Sequence, residues 1–142
     1  MREKILKTMS VFLLCAMVLS LNSVYSFASS GSGTVKVVKG SVMTQAKTGI
    51  TRTGNYNYAR VKATSIYPTG NYTTDNYTKC KVRLYHNTKN STPISSTYTI
   101  TEGSWNDITI NNGYLAQKKF DLCFAGNDPA LDAYVVYAYN GK

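Results

Sequence analysis

Residues 79–87 read K-C-K-V-R-L-Y-H-N, and the two sides of this run have different characters. Cys80, Val82, Leu84 and His86 form one row; Lys79, Lys81, Arg83 and Tyr85 form the other. Alternation with a period of two marks a strand with one buried face and one wet face. The pattern recurs along the chain. Ala59, Val61, Ala63 and Ser65 alternate with Tyr58, Arg60, Lys62 and Thr64 over residues 58–67. Residues 94–101 set Ile94, Ser96, Tyr98 and Ile100 against Ser95, Thr97, Thr99 and Thr101. Residues 118–125 set Phe120, Leu122 and Phe124 against Lys119, Asp121 and Cys123. Residues 34–39, 105–110 and 133–139 add three more strands, with a weak one at 42–45. Helical spacing is absent beyond a single turn at 114–117. Turn signals separate the runs: Pro68-Thr69-Gly70, Glu102-Gly103-Ser104, and Asn111-Asn112-Gly113 as a hairpin-type turn with positive φ. Residues 71–78 and 88–93 read as loops. The chain is therefore expected to be all-β, a small antiparallel β-sandwich of about seven strands.

The first residues are expected to lie outside that fold. Arg2, Lys4 and Lys7 precede an apolar run at 10–21, and Ser26-Phe27-Ala28 offers small residues for cleavage after Ala28. This is the layout of a secretory signal peptide over residues 1–28. The run is shorter than the ~20 residues of a spanning helix. Residues 29–142 then form one domain of a secreted, extracellular protein, opening with a flexible S-S-G-S-G segment at 29–33. Of the 16 Lys and Arg and 7 Asp and Glu, the leader removes Arg2, Lys4, Lys7 and Glu3. Thirteen cations against six acids remain, a net charge of +7. Such a balance favours anionic partners: teichoic-type polymers, acidic lipid headgroups or acidic polysaccharides. Secretion argues against nucleic acid.

Cys80 and Cys123 are the cysteines left after cleavage. In an exported protein the simplest expectation is one disulfide between them, contributing roughly 4 kcal/mol by loop closure. Cys123 shares its row with Lys119 and Asp121, opposite Phe120, Leu122 and Phe124, so the bridge needs a bulge or a strand buried on both faces.

Little in the sequence points to catalysis. The acids after the leader are Asp75, Glu102, Asp107, Asp121, Asp128 and Asp132, most of them at turns where Asp closes the backbone. His86 lies six residues from Cys80 on one strand, roughly 20 Å away, too far to form a thiol–imidazole pair. With one histidine and no paired ligand spacing, no metal site is expected. Asp121, Asn127, Asp128 and Asp132 crowd one turn but match no calcium loop. Phosphate and dinucleotide fingerprints are missing. A non-enzyme without a cofactor is the expectation.

The best candidate surface is basic and tyrosine-bearing. If the strands at 58–67 and 79–87 share a sheet, Tyr58, Arg60 and Lys62 lie beside Lys79, Lys81, Arg83 and Tyr85. Five cations on one face repel one another until an anion neutralises them. The expected function is binding of anionic cell-envelope polymers or membrane surfaces. A bacteriocin-like toxin would share these features. A carbohydrate-binding module would instead stack glycan on Tyr72, Tyr77, Tyr98 or Trp105. The segments around Ala59-Arg60, 122–127 and 134–139 resemble a group of short secreted β-proteins of unknown function from Gram-positive bacteria. Members of that group close with a tryptophan where this chain has Tyr139. The resemblance implies secretion and no particular activity.

Overall fold

The computed structural model describes residues 28–53, 56–70, 77–87 and 89–141, the side chains of 89–91 excepted. The expected leader falls outside these residues except for Ala28, as do Tyr72 and Asp75. Among the described residues there are nine strands: β1 Ser30–Val37, β2 Thr44–Thr51, β3 Tyr58–Pro68, β4 Lys79–His86, β5 Lys89–Pro93, β6 Tyr98–Thr101, β7 Trp105–Thr109, β8 Lys119–Gly126 and β9 Ala133–Asn140. They form two antiparallel sheets. One runs β1-β9-β3-β7; the other runs β2-β8-β4-β5, with β6 also paired to β4. The inward rows of both sheets supply a single apolar core, including Val61, Ile66, Leu84, Ile108, Phe120 and Val135. Tyr137 crosses that core: its ring lies 5.1 Å from Phe124 and its hydroxyl donates to the Ala46 carbonyl at 2.9 Å. The sandwich is thus tied through its middle by one side chain.

Both lateral sides are stitched as well. On one, Ser29 N–H donates to the Thr51 carbonyl, and Ser29 Oγ accepts from Thr51 N–H. On the other, Ser95 bridges Ile110, and Asn111 N–H donates to the Ile94 carbonyl. At one end Arg52 is buried, its guanidinium donating to the carbonyls of Tyr56 and Leu115. Burial lowers the pKa of this arginine.

Several expectations change. Residues 30–33 are not a flexible lead but the start of β1. Gly31 and Gly33 stand opposite Tyr139 and Tyr137, and a Cβ on either would fall 2.7 or 2.6 Å from the facing tyrosine hydroxyl. The tyrosine rings fill the space above the glycines and hold the strand down. On β3 a bulge between Ala63 and Ser65 shifts the phase, so Ile66 rather than Ser65 is the next buried residue. The 94–101 run splits because Ser95 is buried, its Oγ accepting from Leu84 N–H and donating to the Ser96 carbonyl. Residues 89–93, expected as loop, pair with β4. Asn112-Gly113-Tyr114 forms a 3-10 turn, and Gly113 is not among the glycines with positive φ.

The disulfide is overturned. Cys80 stands opposite Gly126 and Cys123 opposite Arg83, three residues apart on neighbouring strands, or about 10 Å along them. Cys80 points into the core, whereas Cys123 lies on the outward row of β8 opposite Arg83. A bridge needs Cα atoms within ~7 Å and converging Cβ atoms. Both cysteines are free and buried. Desolvation pushes the Cys80 thiol up to about 12; burial and then the charge of Asp121 push Cys123 up to about 11.

Candidate electropositive face

The two basic rows do not share a sheet. β3 belongs to the four-stranded sheet and β4 to the five-stranded one. Each row points away from the common core, so Tyr58, Arg60 and Lys62 face one side of the sandwich while Lys79, Lys81, Arg83 and Tyr85 face the other. The expected joint surface is therefore two surfaces with different chemistry.

On the four-stranded sheet the charge is largely balanced. Arg60 stands opposite Asp107, and its Nε donates to Asp107 Oδ1 at 2.8 Å. That hydrogen bond and the carboxylate's charge raise the Arg60 pKa. Lys36 lies 3.6 Å from Asp132. Lys62 stands opposite Trp105, and Tyr58 packs against Tyr56 with ring centroids 5.4 Å apart.

On the five-stranded sheet it is not balanced. Lys79, Lys81 and Arg83 project at every second position of β4. Lys119 continues the outward row of β8, and exposed Lys47 lies two residues beyond Gln45 on β2. Among the described residues, the acid projecting from the strands of this face, Asp121, is 1% exposed. It accepts from Gln45 Nε2 at 2.9 Å, Gly49 N–H at 2.9 Å and Asn87 Nδ2 at 2.8 Å. These neutral donors hold the carboxylate beneath the surface. Part of the basic row also serves the fold. Lys81 reaches across β8 to Ser41 Oγ at 2.5 Å, passing over Ala125, which is fully buried though it points outward. Arg83 Nε donates to the Ser95 carbonyl at 3.2 Å, and its guanidinium carbon lies 5.8 Å from the Tyr85 ring centroid. Lys79 is exposed at the head of the row, beside a cleft of ≈ 300 Å³ lined by Tyr77, Thr78, Asn127, Asp128 and Pro129.

The remaining candidates have structural partners. Tyr77 is buried, its hydroxyl accepting from the N–H groups of Asn127 and Asp128. Tyr98 accepts from Thr109 N–H at 3.3 Å. Of the four proposed stacking residues only Trp105 is exposed among those described. Asp128 Oδ1 closes a turn by accepting from Ala130 and Leu131, and Glu102 accepts from Ile66 N–H. His86 meets the edge of Tyr114 at 6.4 Å rather than entering the core. Among the described residues no three His, Cys, Asp or Glu converge as a metal site would require.

Two residues passed over in the sequence stand out. Tyr67 and Tyr134 are both exposed on the four-stranded sheet, with ring centroids 5.5 Å apart. The bulge in β3 hides the phase of Tyr67. The Y-V-V-Y-A-Y run of β9 gives no sign of which tyrosines point inward until its neighbours are known. No protein-family model matches the chain, and no curated protein or solved structure matches it at the significance required.

Proposed function

We propose that this is a secreted, non-enzymatic cationic protein that docks on anionic cell-envelope polymer through the outer face of its five-stranded sheet. The supporting observation is the imbalance on that face. Lys47, Lys79, Lys81, Arg83 and Lys119 belong to the strands of that sheet, while among the described residues Asp121 is buried and already hydrogen-bonded, and Asp128, beside Lys79, is engaged in its own turn. A polyanion laid along β4 would meet cations at about 7 Å intervals, two residues of strand rise apart. Arg83 can add paired donors to a phosphate or carboxylate. Docking of this kind is electrostatic and of modest affinity, and it weakens as salt shortens the screening length.

The test is retention of the mature protein on immobilised teichoic-type polyanion across a salt gradient. Elution is expected well before about 0.5 M salt, where screening acts within a few ångströms. The triple variant Lys47→Gln, Lys79→Gln, Lys119→Gln is expected to elute earlier, since among the described residues none of these three side chains makes a hydrogen bond that holds the fold. Lys62→Gln on the opposite sheet should elute nearly as wild type. Retention that ignores salt, or falls equally in both variants, rejects this face as the docking surface.

A further inference from the structure

The opposite face has a different chemistry and a separate use. We propose that the outer face of the four-stranded sheet is a stacking platform for a neutral, extended glycan. Trp105 on β7 is 48% exposed, Tyr67 on β3 41% and Tyr134 on β9 37%. The register fixes their layout. Trp105 stands opposite Lys62, which stands opposite Ala138; Tyr67 stands opposite Tyr134. Trp105 therefore lies five residues of β3 from the tyrosine pair, on the order of 15 Å at strand rise. Outward residues smaller than the aromatics occupy the interval: Thr64 on β3, Val136 and Ala138 on β9, and Ser32 and Thr34 on β1. The face has large flat aromatics at two ends and a low floor between them.

That arrangement selects the ligand class. A protein partner is best served by a contiguous apolar centre with a polar rim, whereas here the large aromatics stand at two ends, with Lys62, Thr64, Val136 and Ala138 between them. Anion docking requires unbalanced cations, but Arg60 and Lys36 on this face are paired to Asp107 and Asp132. A sugar ring has one flat apolar C–H surface and a girdle of hydroxyls. An equatorially linked polymer presents such surfaces repeatedly along an extended ribbon. Trp105 and the Tyr67–Tyr134 pair would each cover one such surface. Lys62, Thr64 and Thr34 would exchange hydrogen bonds with the hydroxyls between them. The site lies on the other side of the sandwich from the electropositive face and does not depend on it.

Trp105 is the only tryptophan of the chain, so its fluorescence reports on one end of the platform alone. The experiment titrates the mature protein with β-1,4-linked hexasaccharides of glucose and of N-acetylglucosamine at 0.5 M salt, followed by emission and by calorimetry. A saturable emission change with matching heat is expected for at least one of them. Trp105→Ala and Tyr134→Ala should each weaken the calorimetric affinity about fivefold or more, with Trp105→Tyr recovering part of it. Unchanged circular dichroism in these surface variants shows that the fold survives. Tyr85→Ala, on the other sheet, should bind as wild type. The proposal is overturned by the absence of saturable binding to either glycan. It is equally overturned by binding that high salt abolishes, or by a self-association that Trp105→Ala removes while no glycan binds.

Discussion

At the scale of single residues, the two thiols show how position along a strand overrides chemical expectation. Cys80 and Cys123 have the right number for the bridge that an exported chain would be expected to form, yet they occupy opposite faces of one sheet. As neutral buried groups they couple stability to alkaline pH. Each has a folded pKa raised above its ordinary value of 9.0, to about 12 and about 11 respectively. Their contribution is complete below pH 9 and is lost as pH rises toward the folded values, because the unfolded chain ionises first. Each thiol removes up to about 1.4 kcal/mol of stability per pH unit within that window. Urea unfolding at pH 8 and pH 10.5 should show the loss, and a Cys80→Ala, Cys123→Ala double variant should show a smaller one. An identical loss in the double variant would mean that other groups govern the alkaline limb. Titration of the unreduced, unfolded protein lacking residues 1–28 should give two free thiols.

At the scale of elements, alternation reads a strand well when its partners are ordinary. β4 lies almost where its two rows place it, and the inward row of β8 is Phe120, Leu122 and Phe124 as the pattern indicates. The second half of β1 was legible as a strand, but its start at residues 30–33 was not, because its reason lies more than a hundred residues away. Glycine weakens a strand in isolation, but Gly31 and Gly33 are where Tyr139 and Tyr137 need an absent side chain. Gly33→Ala is expected to displace the Tyr137 ring and its bond to Ala46, costing about 1–3 kcal/mol in urea unfolding. Gly31→Ala should cost less, since among the described residues no hydrogen bond from the facing Tyr139 crosses the core as that of Tyr137 does. Equal, negligible effects would show that the rings can move aside freely. The split of the 94–101 run has the same origin: Ser95 turns inward to reach the Leu84 amide, a bond no local pattern announces.

For the whole molecule, the question is which strands become neighbours. β3 and β4 are consecutive and both basic, and consecutive strands pair about two-thirds of the time. Here the chain passes from one sheet to the other between them, so each basic row acquires different company. The row on β3 gains Asp107 and Trp105; the row on β4 gains Lys119 and a buried Asp121. The residues of the candidate surface were legible individually, but their grouping was not, because grouping depends on sheet order. The resulting two-sidedness makes a claim about orientation. A molecule held on polyanion by its five-stranded sheet leaves Trp105 turned away from the support. Acrylamide should then quench Trp105 in the bound protein nearly as well as in the free protein, and a glycan hexasaccharide should still shift its emission. Strong protection of Trp105 on binding polyanion, at low salt and reversed by raising it, would place the docking surface on the four-stranded sheet instead. That outcome would mean that Lys62 and the face around it, rather than the five-cation face, meet the polymer.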